Sequence, residues 1–98
     1  MSKITESARN EECQVRIANV CNFNPETTIW AHANDLAAGK GKGLKAHDIN
    51  GAYCCSACHD VYDRRRRPPE GMKYSEVELD FAKGHYRSVV LLAQKGLI

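Results

Sequence analysis

The spacing of apolar residues predicts one long helix near the C-terminus. Ser75-x-x-Glu78 has the form of a capping box, and Gly96 is a typical residue just beyond a helix end. Between them, residues three or four apart would share one helical face: Val77, Phe81, His85, Val89 and Leu92. The pattern predicts a helix over 75–95, with His85 as a core or boundary histidine rather than a ligand.

Shorter patterns mark the rest of the chain. Val15 and Ile17 alternate with polar residues, as in a half-buried strand, and the β-branched and aromatic run 27–32 predicts a second strand. Residues 48–53 are expected to form a short strand or turn. A helix is expected from residue 56 or 58 to residue 66, because Pro68 cannot continue it. This order of elements predicts one small α+β domain.

Four of the five cysteines form two pairs that suit a tetrahedral zinc ion: Cys13 with Cys21, and Cys55 with Cys58. A chain of 98 residues buries a modest core, so a metal would help to hold one conformation. No apolar run follows the N-terminal charges, which favours the cytosol and reduced thiols. Buried thiols, disulfides, and a set with Cys54 in place of Cys55 remain as alternatives.

Charge is unevenly distributed along the chain. The net charge is only +2, but residues 40–67 carry seven Lys and Arg side chains against three Asp. Such a patch favours a polyanionic partner. The glycine- and lysine-rich segment 39–45 is expected to be an exposed loop, either a solvated connection or a contact for phosphates. It lacks the P-loop pattern, so nucleoside triphosphate binding is not indicated.

His59 and Asp63 are four residues apart and would project from the same face of a helix. Imidazole nitrogen and carboxylate oxygen suit a zinc, manganese or magnesium ion with positions left for water and phosphate. On spacing alone, an ordinary surface hydrogen bond between imidazole and carboxylate is the favoured interpretation. The cysteines before it, the run Arg64-Arg65-Arg66-Arg67 after it, and His32 on the predicted strand favour the metal.

The chain resembles the HNH, or His-Me finger, endonucleases, and within them the small YbcO-like prophage nucleases. The residues that carry the resemblance are Cys-Gln-Val-Arg-Ile (13–17), Asn24-Pro25-Glu26-Thr27, Ala31-His32, Lys45, Asp48, Cys55-Ser-Ala-Cys-His-Asp (55–60) and Asp63-Arg64-Arg65. The resemblance covers most of residues 9–66. It implies a ββα-metal fold, tied by a structural zinc and followed by the C-terminal helix, with residues 1–98 forming one nuclease domain.

The resemblance also implies roles for individual residues. His32 would be the general base that activates water, and Asp48 or Asn50 would orient His32 or the loop. His59 and Asp63 would hold a catalytic divalent metal: Mg, Mn, Ni or Zn. The phosphate contacts of a DNA substrate would come from Lys45, Arg64 and Arg65. The setting would be the cytoplasm of a bacterial host that carries the phage or prophage.

One residue departs from the HNH pattern. Many HNH enzymes have Asp or His directly before the base, as a metal ligand, and this chain has Ala31. A scaffold without its catalytic ion would be a zinc-stapled module that binds nucleic acid and does not cut it. A zinc knuckle that binds another protein is a third, less favoured interpretation. The sequence does not indicate an oligomeric state.

Overall fold

The computed structural model describes residues 3–34 and 48–98. Its elements, in chain order, are α1 (Lys3–Ser7), a 3₁₀ turn (Pro25–Thr27), β1 (Ile29–His32), β2 (Gly51–Cys54), α2 (Ser56–Tyr62) and α3 (Tyr74–Gln94). The two strands pair antiparallel in one sheet. The prediction of a small α+β domain with a C-terminal helix is confirmed. Lys45 and the segment 39–45 lie outside the described residues.

The two faces of the sheet pack against different parts of the chain. Residues that face each other across the strands share a face, because side chains alternate along a strand. Ala31 pairs with Ala52, and both belong to the cluster that contains Val61 of α2. Trp30 pairs with Tyr53 on the opposite face, next to Leu92 of α3. The sheet therefore separates α2 from the C-terminal half of α3.

The predicted strand through Val15 and Ile17 is wrong. Residues 13–21 form turns, and both Arg16 and Asn19 have left-handed backbones, with φ of 53° and 62°. Val15 and Ile17 are nevertheless each only 1% exposed. Burial alternates only from Val15 to Ala18, because Gln14 is buried as well, and it arises from a folded loop, so periodicity alone predicted the wrong element.

Helix α2 is shorter than predicted. It ends at Tyr62, and Arg64 then takes a left-handed backbone with φ of 62°. The amides of Arg64 and Arg65 still bond back to the carbonyls of Val61 and Asp60. These bonds close the helix before the prolines are reached, so the arginine run projects from a turn and not from a helix face.

Of the two sequence signals predicted for the ends of α3, the one at the C-terminus is correct and the one at the N-terminus is not. The helix begins at Tyr74, and the Glu76 carboxylate accepts from the Lys73 amide at 2.7 Å, so the predicted Ser75/Glu78 capping box is wrong by two residues. The C-terminal signal is confirmed. Gly96 has φ of 74°, and the Leu97 amide donates to the Leu92 carbonyl at 2.9 Å, as in a Schellman motif.

Small residues widen the buried face of α3. Gly84 and Ser88 are buried beside Val77, Phe81 and Leu92, whereas the positions predicted at 85 and 89 are only half-buried. The Ser88 hydroxyl donates to the Gly84 carbonyl at 2.6 Å and accepts from the Tyr53 amide at 3.0 Å. This hydroxyl therefore ties α3 to β2.

Among residues 3–34 and 48–98, the helices are all too short or too polar to cross a membrane.

Candidate functional site

Four cysteines meet in the core. The Sγ atoms of Cys13, Cys21, Cys55 and Cys58 all lie within 4.8 Å of one another, and those of Cys21 and Cys55 are 3.9 Å apart. Tetrahedral zinc with Zn–S bonds of about 2.3 Å places its sulfurs roughly 3.8 Å apart. The structure thus brings together the four thiols that the sequence predicted, in an arrangement that can hold a metal such as zinc.

Backbone amides around these sulfurs are oriented for metal binding. The amide of Arg16 donates to Cys13 Sγ at 3.5 Å, that of Ile17 to Cys58 Sγ at 3.4 Å, and that of Cys58 to Cys55 Sγ at 3.4 Å. Such donors favour the charged thiolate, which is the form that binds metal. The left-handed backbone at Arg16 is part of this loop, which explains why the predicted strand does not form.

The ionisation of the cluster also favours a cation. Hydrogen bonds from neighbouring thiols, Cys54 first, lower the pKa of Cys13 far below its usual value. The pKa of Cys58 is raised, mainly by its hydrogen bond to Cys13. Burial raises the pKa of Cys21 to about 11. One thiolate is therefore stabilised at the expense of its neighbours. A divalent cation among the four sulfurs would allow the others to ionise as well.

Cys54 lies next to the cluster but is not a member of it. Cys54 is fully buried in β2, opposite Ile29. The hydrogen bond between its thiol and Cys13 is the main cause of its raised pKa. The structure therefore selects Cys55 over Cys54 as the fourth thiol. All five cysteines are free, so the disulfide alternative does not apply.

His59 and Asp63 contact each other on α2, as their spacing predicted. Nε2 of His59 lies 2.9 Å from Oδ2 of Asp63. Arg65 lies 3.0 Å from the other ring nitrogen, Nδ1, and can only donate, so the proton of a neutral His59 is on Nε2. Burial lowers the pKa of His59, although Asp63 opposes this effect. A neutral imidazole is the form that ligates metals, and a metal between His59 and Asp63 would replace the Nε2 proton, which would move to Nδ1 in place of the bond from Arg65.

The carboxylate of Asp63 has further partners. Its Oδ1 accepts from Asn34 Nδ2 at 2.8 Å, and its Oδ2 lies 3.5 Å from Arg65. Within the part of the chain that the structure describes, no third His, Cys, Asp or Glu joins His59 and Asp63 in a metal-binding group. A metal at this position would therefore complete its coordination with water and substrate oxygens.

His32 is the last residue of β1 and pairs with Asp48. Its Nε2 lies 3.1 Å from Asp48 Oδ1, and the Asp48 carbonyl accepts from the indole of Trp30. Of the two residues expected to orient His32, Asp48 contacts its ring. His32 shares the Trp30 face of the sheet, whereas Ala31, only 1% exposed, packs towards α2.

Asn34, which sequence analysis missed, joins the end of β1 to the end of α2. Its amide donates to the Tyr62 hydroxyl at 2.8 Å, and its side chain holds Asp63. Since two residues span at most about 7 Å, the backbone of His32 lies near this junction, while its side chain is on the Trp30 face of the sheet. The sequence signal that could have identified Asn34 is its position, as a polar residue two places after the histidine that ends β1.

A cavity of about 650 Å³ opens beside Asp63. The residues that line it include Asn34, Asn50, Tyr62, Asp63, Phe81 and His85. Nδ1 of His85 lies 2.7 Å from the Gly51 carbonyl, which can only accept, so this nitrogen carries the proton. His85 is a boundary residue as predicted, but it also belongs to the cavity, which the sequence did not indicate.

The two arginines nearest α2 are held differently. The Arg64 guanidinium lies 3.7 Å from the centre of the Tyr74 ring, and Arg65 pairs with Asp60 at 3.3 Å. Both line the cavity. The structure thus gathers one part of the predicted site, with His59, Asp63, Arg64 and Arg65, around the end of α2.

Residues 2–97 match the family model described as "Putative nuclease YbcO". The chain belongs to this family. It is 40% identical over 98 residues to "Putative nuclease YbcO" of Escherichia coli (strain K12) and, to the same extent, to "Putative nuclease ybcO" of Enterobacteria phage 82. In both comparisons the match covers 100% of this chain and 98% of the relative.

A solved structure has the same fold. It is titled "Structure of a putative bacteriophage protein from Escherichia coli str. K-12 substr. MG1655" and superposes with a TM-score of 0.73 at 36% identity. The superposition covers 94% of this chain and 98% of that chain. The family resemblance expected from the sequence is therefore confirmed at the level of YbcO.

Proposed function

We propose that this chain is a metal-dependent DNA endonuclease of the HNH type. One arrangement carries the proposal. Helix α2 begins at two thiols of the metal-binding cluster and carries the His59–Asp63 pair, and Asn34 links that pair to the strand that ends in His32. The nuclease name of the family and of the relatives in Escherichia coli and phage 82 supports the same reaction class.

The two metal positions have different tasks. Zinc at the four cysteines ties residue 13 to residue 58, so its binding energy acts as folding energy. His59 and Asp63 would hold the catalytic ion, which is Mg, Mn, Ni or Zn. That ion supplies positive charge at the scissile phosphate.

The chain's own residues handle the proton and the phosphate. His32 accepts a proton from the attacking water, and Asp48, 3.1 Å from its Nε2, orients the ring. Arg64 and Arg65 contact the DNA backbone next to the site, with Lys45 as a further contact. Asn50, whose carbonyl accepts from the Ala33 amide at 2.7 Å, holds the turn that carries Asp48.

Nicking of supercoiled plasmid tests the proposal. The wild-type protein is expected to cut with at least one of Mg, Mn, Ni or Zn, and His32→Ala and His59→Ala are each expected to cut at least about a hundredfold more slowly. Zinc content and melting temperature should stay unchanged in both. Tyr86→Ala, at a site 72% exposed on α3, is the control. Cutting by His32→Ala at the wild-type rate would refute the role of the base.

A second candidate function is DNA binding without cleavage. It is favoured by one observation: both oxygens of Asp63 already have protein partners, Asn34 on one side and His59 with Arg65 on the other. The chain would then bind DNA in a salt-sensitive way and cut nothing with any of the four metals. The plasmid assay combined with a binding titration separates the two functions.

The proposed setting is the cytoplasm of a bacterial host. The relative from Enterobacteria phage 82 supports a phage or prophage origin. The substrate would then be phage or host DNA.

A further inference from the structure

The cavity beside α2 has the character of a binding site for a flat, polar ring. Its volume of about 650 Å³ is within the usual range of ligand pockets, which is about 300 to 1,000 Å³. Tyr62 and Phe81 line it and stack on each other with ring centroids 3.8 Å apart and planes at 1°. Tyr74 adds a third aromatic ring to the lining.

Polar groups are placed around this aromatic lining. His85 donates its Nδ1 proton to the Gly51 carbonyl, so a neutral ring has Nε2 as an acceptor. Asn50 and Glu78 also line the cavity. Aromatic side chains together with hydrogen-bonding groups are the combination with which proteins bind an unstacked nucleobase.

Two arginines of the cavity lining suit the phosphate that accompanies such a base. Arg64 and Arg65 line the cavity, and both are exposed. Asp63, which also lines the cavity, belongs to the proposed catalytic pair. A nucleotide with its base inside would therefore have its backbone next to His59 and Asp63.

We infer that this cavity binds one unpaired nucleotide of the DNA substrate, next to the phosphate that is cut. A base within an intact duplex is stacked and paired and has to leave the helix to enter such a cavity, which costs free energy. A single strand or a bulged base does not have this cost. The inference rests on the proposed nuclease function and specifies its substrate as DNA with an unpaired nucleotide.

Fluorescence anisotropy with three labelled DNA probes tests the inference: a single strand, a perfect duplex, and the same duplex with one bulged base. No divalent metal is added, so the DNA is not cut. The wild-type protein is expected to bind the single strand and the bulged duplex about tenfold more tightly than the perfect duplex. Equal affinity for all three probes would overturn the inference.

A matched pair of variants locates the binding. Ala82 is exposed and lines the cavity, whereas Ala93 is exposed elsewhere on α3. Ala82→Trp places an indole in the cavity and should remove the preference for unpaired DNA, with Ala82→Leu having a smaller effect in the same direction. Ala93→Trp should keep the preference. If Ala82→Trp keeps it too, the unpaired base binds elsewhere and the inference is wrong.

The outcome is independent of cleavage. A preference for unpaired DNA in a protein that never cuts would refute the nuclease proposal and leave the cavity assignment in place. Cutting without any such preference would refute only the cavity assignment.

Discussion

Gly84 of α3 lies against the backbone of Val15. A Cβ built on Gly84 would fall 2.8 Å from the Cα of Val15, closer than real Cβ contacts. Since this contact involves backbone, the loop that carries Cys13 would have to shift to make room. Gly84 therefore determines how closely α3 approaches the loop that carries Cys13.

Gly84→Ala is expected to destabilise the protein by about 1–3 kcal/mol, the usual cost of overpacking a core. At an exposed helical position, Gly→Ala would instead stabilise the protein by up to about 1 kcal/mol. A loss of stability would therefore indicate the close contact with Val15. Urea denaturation gives the free energy of unfolding. Lys83→Ala, at the exposed neighbouring position, is the control and should change it by less than about 0.5 kcal/mol.

Cys58→Ser is expected to lose the zinc proposed at the four cysteines and with it the cooperative thermal transition, because the binding energy of structural zinc is folding energy. Cys54→Ala removes a buried thiol one position from the cluster and should still bind one zinc per chain. Elemental analysis together with circular dichroism measures both properties. Loss of zinc in Cys54→Ala and its retention in Cys58→Ser would mean that the ligand set is wrong.

Asp48→Asn is expected to lower kcat for plasmid cleavage about ten- to a hundredfold, because an amide orients His32 less firmly than a carboxylate. The Asp48 carbonyl that binds Trp30 is unchanged, so the melting temperature should stay near that of the wild type. Glu26→Gln, at an exposed acidic position, is the isosteric control. An unchanged kcat would remove Asp48 from the mechanism.

Arg65→Ala is expected to weaken DNA binding and to reduce the slope of log affinity against log salt by about 1, as expected when one phosphate contact is lost. Arg66→Ala removes the same charge from the next residue, which is exposed and lies outside the cavity lining. If both variants give the same slope, the arginine run acts as a general positive charge. Titrations at three or more salt concentrations decide between the two results.

The metal-binding cluster could be predicted from the sequence because its signal is chemical. Four thiols in two pairs suit one tetrahedral ion, whatever backbone connects them. The backbone between Cys13 and Cys21 could not be predicted in the same way. Val15 and Ile17 alternate as strand residues do, but the bonds of the Arg16 and Ile17 amides to sulfur replace those of a sheet.

The roles proposed for His32, His59 and Asp63 come from the family resemblance, and the contacts of these residues could be predicted only in part. The spacing of His59 and Asp63 predicted their contact, because residues four apart meet on a helix. The partners of Asp63 and the cavity contact of His85 depend on tertiary packing between distant segments. Gly84 and Ser88 were overlooked on α3 because a search for large apolar residues misses positions where close approach requires small ones.

The positions of the four thiols also determine the order in which a newly made chain can mature. The cluster is complete only after Cys58 has emerged from the ribosome, and α3 is synthesised after that point. With zinc bound there as proposed, α3 would dock on a loop that the metal has already ordered. In a zinc-starved cell the chain would stay open to proteolysis, and the amount of active protein would follow the zinc available during translation.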